Sequence, residues 1–122
     1  MMSHMKMLCV DDNEELRNNL AQQFLNEDFE VDTANDGVMA LEKIAAKEYD
    51  IVLLDLKMPK MDGVTVLKEL KKINKYPHVI MLTGVDDVQT AVECVKLGAK
   101  DYIQKPYDPQ DLLHIVIKVL GS

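Results

Sequence analysis

The stretch from Asp50 to Gly63 constrains this chain more than any other. Ile51, Val52, Leu53 and Leu54 form an unbroken apolar run, too short for a helix and bounded by Asp50 and Asp55. Such a run is a strand buried on both faces, as a central strand of a parallel sheet is. Asp55 follows it at once. A carboxylate at the C-terminal end of a central parallel strand opens into the crevice where these sheets bind ligands, so it is both fixed in place and reachable. Pro59 stops the strand and Asp62-Gly63 is a turn pair, which makes Lys57 to Gly63 a rigid loop leading into a helix.

Around this stretch two hydrophobic periods alternate. Met5 to Val10 reads as a strand ended by Asp11-Asp12. From Asn13 to about Glu27, Leu16, Leu20 and Phe24, with Ala21 and Leu25, recur at helical spacing, and Glu14 and Glu15 lie in the first turn where the helix dipole favours anions. Phe29 to Ala34 is a short strand, and Val38, Ala40, Leu41, Ile44 and Ala45 mark a second helix. After the central strand, Val64, Val66, Leu67, Leu70 and Ile73 give a third helix with lysines outside. His78 to Leu82 is a fourth strand running into Thr83-Gly84. Val88, Ala91, Val92 and Val95 are the stripe of a fourth helix that Gly98 stops. Asp101 to Gln104 is a fifth strand ended by Lys105-Pro106, and a last helix runs from Asp108 as N-cap and Pro109 to about Leu120.

Five strand-then-helix units predict an α/β fold: a five-stranded parallel sheet, doubly wound, with helices on both faces. In the flavodoxin-like strand order 2-1-3-4-5, strands 1 and 3 are neighbours where the winding reverses. Asp11, Asp12 and Asp55 then converge on one crevice, and Thr83 and Lys105 end strands along the same rim. Three carboxylates in one place repel: two unit charges about 4 Å apart cost roughly 4 kcal/mol at an effective dielectric of 20. Lys105 can offset one charge, and a hard divalent cation with oxygen ligands can offset the rest. Mg2+ suits few carboxylates, because it keeps several waters and accepts phosphate oxygens. An acidic cluster with a metal, a hydroxyl and a lysine suits a phosphoryl site with an aspartate acceptor. Taken alone, Asp11-Asp12 would equally read as a cap on the first helix, with Glu15 completing a capping box.

Composition narrows the class. A chain of 122 residues with 48% hydrophobic content fits one compact domain. Its formal net charge of -7, with Lys and Arg dispersed, argues against an electrostatic grip on nucleic acid or an anionic membrane. No apolar run nears the roughly 18 residues of a transmembrane span, and no secretory leader is evident, so a cytoplasmic location is expected. Residues 1–4 read as a start or cloning remnant preceding a domain over 5–121. Cys9 and Cys94 lack metal-ligand spacing and read as buried reduced thiols; the three His have no spacing for metal or nucleophilic work, and the eight Met read as core filler.

At this point the chain resembles the CheY-like receiver domains of two-component response regulators. The likeness runs through Val10-Asp11-Asp12, Ala34-Asn35-Asp36-Gly37 with Ala40-Leu41, Asp50 to Gly63, Leu82-Thr83-Gly84 and Gly98 to Pro106. The resemblance implies that Asp55 accepts a phosphoryl group from a phosphohistidine on a sensor histidine kinase or a histidine phosphotransfer domain. It implies Mg2+ held by Asp12 directly, by Asp11 mainly through water, by Asp55 and by the Lys57 backbone carbonyl. Thr83 with Gly84, and Lys105, match the groups that stabilise phosphoryl oxygens, and Thr83 and Tyr102 match the switch pair. Lys57 and Val85, two residues after Asp55 and Thr83, match positions that tune the lifetime of the acyl phosphate; neither can orient a water. Helix 4, strand 5 and helix 5 are the expected face for an output partner or a homodimer, since the last helix carries more apolar residues than one buried stripe needs. The function so implied is a phosphorylation-controlled signalling switch that catalyses its own phosphorylation and turns over no metabolite. Three rivals share the architecture. A flavin-binding electron carrier would want amides and hydroxyls where Asp11 and Asp12 stand. An aspartyl phosphatase would want a second acid at the place of Lys57. A receiver-like scaffold binding partners without phosphorylation would not need the full set Asp12, Asp55, Thr83 and Lys105.

Overall fold

A computed structural model describes residues 4–121. The chain runs β1 (Lys6–Val10), α1 (Glu14–Leu25), β2 (Glu30–Ala34), α2 (Gly37–Ala46), β3 (Ile51–Asp55), α3 (Gly63–Lys72), β4 (His78–Thr83), a 3-10 turn (Val85–Asp87), α4 (Val88–Lys96), β5 (Asp101–Gln104) and α5 (Pro109–Leu120). All strand pairings are parallel and the sheet order is β2-β1-β3-β4-β5. This is the doubly wound, flavodoxin-like order expected from the strand-helix alternation. Of the start or cloning remnant expected at residues 1–4, the first three lie outside the described residues; His4 is an exposed turn residue.

Period-two alternation splits the central strands between two cores. Leu8, Val10, Val52, Leu54, Val79 and Met81 point toward α2, α3 and α4, where they meet Ala40, Ile44, Val66, Leu67, Leu70 and Cys94. Met7, Cys9, Ile51, Leu53, Ile80 and Leu82 point the other way, onto Leu20 and Phe24 of α1 and Leu112, Val116 and Val119 of α5. Every residue of β3 is buried, which is why its sequence is apolar without alternation. Phe24 and Phe29 close the end of the α1 side edge-on, with ring centroids 5.5 Å apart.

Local details depart from the pattern in the sequence. Asn13, not Asp11-Asp12, caps α1, its side chain accepting from the Leu16 amide; Glu15 forms no capping box. Of the α1 stripe only Leu20 and Phe24 are buried, while Leu16 and Leu25 are exposed, because α1 touches the sheet edge with a narrow face. In α4 Ala91 is buried as expected, but Cys94 rather than Val95 occupies the next buried place. Ile73 lies past the end of α3 and is exposed. Both cysteines are free and buried, as expected. In α5 Leu112, Val116 and Val119 are buried and Ile117 is exposed.

Candidate functional site

Register brings the site residues to one rim. Val10 pairs with Leu54, and Leu54 with Met81, so Asp11 and Asp55 leave adjacent strands at the same level. Both continue the parity of Cys9 and Leu53, toward the α1 and α5 side; Thr83 continues the parity of Met81, toward α4. Carboxylate oxygens of Asp11, Asp12 and Asp55 all lie within 4.8 Å of one another. Asp11 and Asp55 are buried and Asp12 is exposed, so the cluster opens to solvent on one side.

Lys105 is the cation among them. Its Nζ donates to Asp11 Oδ2 at 2.9 Å and to Asp55 Oδ1 at 3.2 Å. The Lys105 amide donates to the Thr83 carbonyl at 2.7 Å, which extends the β4–β5 ladder one step and aims the side chain back across the sheet; the Lys105–Pro106 peptide is cis. Asp11 is further fixed by the Asn13 amide on Oδ1 at 2.9 Å, and Arg17 donates to its carbonyl at 3.0 Å. Burial, then the charge of Asp11, push the Asp55 pKa up to about 7, against the opposing pull of Lys105. Burial alone would lower the Lys105 pKa, but the Asp11 hydrogen bond and the charges of Asp55 and Asp11 hold it above the usual lysine range. Asp55 therefore holds a proton more tightly than a free carboxylate does, and the lysine is charged.

The loop after β3 is drawn tight against the site. Leu56 donates to the Leu82 carbonyl at 2.9 Å and accepts from the Gly63 amide at 2.8 Å. Gly63 comes so close that an added Cβ would lie 2.9 Å from the Asp55 carbonyl oxygen and 2.8 Å from Met81 Cε. Asp62 caps α3 through the Thr65 amide. Lys57 turns its ammonium outward to Asp87 at 3.1 Å, and Val85 is 67% exposed. The Thr83 hydroxyl donates to the Gly84 carbonyl at 3.2 Å. Tyr102 is half-buried and packs on the core beneath α2, α3 and α4. Thus Asp11, Asp12, Asp55 and Lys105 are in one cluster, Thr83 ends β4 and Gly84 follows it on the same rim, Lys57 and Val85 lie in the loops after β3 and β4, and Tyr102 packs on the core beneath α2, α3 and α4.

Every donor of the cluster is a hard carboxylate oxygen, and against three carboxylates stands one ammonium. That donor set fits a divalent cation such as Mg2+ better than a soft or redox metal.

Comparison with known proteins agrees with the geometry. The family described as the response regulator receiver domain matches residues 7–117. The chain is a response regulator receiver domain. Its relatives include the regulatory protein AtoC of Escherichia coli, 40% identical over 115 residues, 94% of this chain and 25% of that protein. They also include the chemotaxis protein CheY of Halobacterium salinarum, 35% identical over 118 residues, 96% of this chain and 98% of that one. Among solved structures the receiver domain of the Francisella response regulator 1452 superposes with a TM-score of 0.89 at 30% identity, covering 97% of this chain and 98% of that one. The receiver chain thus spans a quarter of the length of AtoC but nearly all of the halobacterial protein. Receiver domains work in phosphorylation-based signalling with histidine kinases, and this one carries the family's acidic pocket.

Sequence reasoning missed several residues that shape the receiver's site. Asn13 and Arg17 hold Asp11; an Asn directly after an acidic pair was a signal for a cap. Asp87 holds Lys57, a contact between two loops that no spacing rule reveals. Tyr107 lines a cavity of about 460 Å3 with Leu16, Leu20, Lys105 and Pro106, and burial pushes its pKa up to about 12. Among the described residues no helix is long and apolar enough to cross a membrane.

Proposed function

We propose that this receiver, spanning residues 5–121, is a phosphorylation-activated switch whose Asp55 accepts a phosphoryl group from a phosphohistidine on a sensor kinase or a histidine phosphotransfer domain. The observation that carries this reading is the position of Asp55: buried at the end of β3, beside Asp11 and Asp12, and hydrogen-bonded to Lys105. An Asp55 oxygen attacks phosphorus as the phosphorus–nitrogen bond of the donor breaks, its electron pair leaving with the imidazole. Lys105 already bonds the carboxylate that reacts, and it can follow the charge onto a phosphoryl oxygen. The Thr83 hydroxyl, now on the Gly84 carbonyl, can turn to another, with the backbone at Gly84 supporting it. Asp11, Asp12, Asp55 and the Lys57 carbonyl would hold Mg2+, which when bound supplies the positive charge that three carboxylates and a phosphoryl group lack. Catalysis is then mostly positioning and electrostatics.

Two neighbours bear on the output. With Thr83 at the end of β4 and Tyr102 opposite Met81 in register on β5, a shift of Thr83 reaches the α4–β5–α5 face. That face carries exposed Val95 and Ile117, and it serves as the surface for an output partner or a second receiver. With Lys57 engaged with Asp87 and Val85 exposed, neither of these two positions supplies an acid or amide to orient an attacking water, which favours a long-lived acyl phosphate.

The test is mass spectrometry after incubation with acetyl phosphate and Mg2+. The parent should gain the mass of one phosphoryl group, labile to hydroxylamine, and Asp55→Asn should gain none. An equal gain by Asp55→Asn, or none by the parent, removes the reading and leaves the non-phosphorylated scaffold in its place.

A further inference from the structure

Opposite the acidic rim, the ends of α3 and α4 are rich in lysine. Lys68, Lys71 and Lys72 on α3, Lys75 just after it, Lys96 at the end of α4 and Lys100 before β5 are six of the fourteen cationic residues in a chain of net charge -7. Three of them have acidic partners: Lys72 with Glu69 at 2.8 Å, Lys75 with Glu48 at 2.9 Å and Lys96 with Glu93 at 3.8 Å. Lys68, Lys71 and Lys100 have no ion-pair partner among the described residues. Against these six lysines stand Glu48, Glu69, Glu93 and, next to Lys100, Asp101, so the local balance is still positive.

Between these lysines lies a cleft. Leu67 and Leu70 of α3, Val79 of β4 and Leu97 after α4 form its floor, Lys71 and Lys100 stand on its rim, and Tyr76 forms a wall; its volume is about 150 Å3. Space of about 150 Å3 with an apolar lining accepts a group the size of a benzene ring. Tyr76 is 73% exposed, the most exposed large hydrophobic residue described, and Ile73 beside it is 43% exposed. The turn that presents them is ordered by its own bonds. Asn74 takes a left-handed φ of 56, its amide donates to the Lys71 carbonyl and the Lys75 amide to the Leu70 carbonyl. A rigid, protruding aromatic beside a one-side-chain pocket, with unpaired cations on the rim, has the build of a binding hot spot.

We infer that the cleft between the ends of α3 and α4 docks a protein segment bearing one large apolar side chain flanked by carboxylates. The apolar group would fill the floor against Tyr76, and the acids would meet Lys71 and Lys100. Nucleic acid could stack a base on Tyr76, but the net negative charge of the chain opposes a polyanion at longer range. The surface lies at the far end of the strands from Asp55, so the docking is independent of the phosphoryl chemistry.

The probe is a capped peptide with one phenylalanine between pairs of glutamates, titrated into the isotope-labelled full chain and followed by NMR. Saturable shifts confined to Leu67–Val79 and Leu97–Lys100 are expected, weakening as salt rises. Lys71→Gln with Lys100→Gln should weaken binding by about tenfold, as loss of two charge contacts on a partly desolvated rim does, and Tyr76→Ala by a similar factor. All three positions are surface sites, and dispersed spectra of the variants check their folding. Equal binding by a peptide with alanine for phenylalanine, by single-stranded DNA, or by the double Gln variant would overturn the inference. So would concentration-dependent self-association of the parent that the Gln variant abolishes, because the cleft would then belong to a second copy. The titration repeated on Asp55→Asn should be unchanged, which separates this result from failure of the phosphoacceptor reading.

Discussion

Replacing Asp55 with Asn should stabilise the metal-free receiver, by an amount that grows with pH. Burial and the charge of Asp11 raise the Asp55 pKa from the model-compound value of 3.8 to about 7. The folded state therefore holds this proton more tightly than the unfolded chain does, and stability falls as pH rises from the lower value through the upper one. Each pKa unit corresponds to about 1.4 kcal/mol. Linkage then makes the cost of Asp55 about 4 kcal/mol at about pH 8, about 2 kcal/mol at about pH 5 and near zero at about pH 3. An amide of the same shape carries no such dependence. The gain from Asp55→Asn should accordingly increase by about 2–3 kcal/mol between about pH 5 and pH 8, a shift of several degrees in Tm for a chain of this size. Urea unfolding followed by circular dichroism, with equal m-values for the two proteins, measures it. Mg2+ added at the higher pH should remove most of the difference, because the parent then has a compensating charge and the variant has one carboxylate fewer to hold it. A gain that is flat with pH, or a variant less stable than the parent at pH 8, would refute the electrostatic account of the crevice.

Other consequences can be measured on the same protein. Lys57→Asn with Val85→Glu should shorten the acyl phosphate lifetime by about tenfold, about 1.4 kcal/mol in barrier, read as loss of phosphoprotein with time; an unchanged decay rate removes the idea that these two side chains set it. Gly63→Ala forces a Cβ to within 2.9 Å of the Asp55 carbonyl, and should cost about 1–3 kcal/mol in stability and slow phosphorylation by acetyl phosphate; a variant indistinguishable from the parent would show that the loop gives way freely. Phe24→Ala empties a fully buried site in the α1 and α5 core and should cost about 3–5 kcal/mol in chemical denaturation, while leaving the acidic cluster able to bind Mg2+.

The architecture was legible in the sequence because its signals are the strongest a chain offers. Residues 7–10, 51–54 and 79–82 are apolar on both faces, and only central parallel strands demand that. The positions of Asp11, Asp55 and Thr83 followed from the same runs, since each stands where a run stops, and Lys105 from the end of the short strand before Pro106. What periodicity could not resolve were choices settled by tertiary contact. Cys94 and Val95 are equally apolar neighbours, and packing of α4 on the sheet buries Cys94 and leaves Val95 exposed. Leu16 and Leu25 fit a helical stripe, yet α1 lies at an edge too narrow to cover them. The Lys57–Asp87 pair joins two loops thirty positions apart. Gly63 read as a turn residue, whereas its closer constraint is the space taken by the Asp55 carbonyl.

Lys105 belongs to the outer edge of the sheet, yet its ammonium rests on an aspartate three strands away. It thereby acts as a strut across the mouth of the crevice, pinning the last strand and the helix that follows to the first strand. Any newcomer whose oxygens bid for that one ammonium must slacken the strut on the Asp11 side. The anchoring of the chain's final strand and helix is thus negotiable at a single nitrogen atom, and chemistry at the centre of the sheet can be felt at its margin without any rearrangement of the strands between.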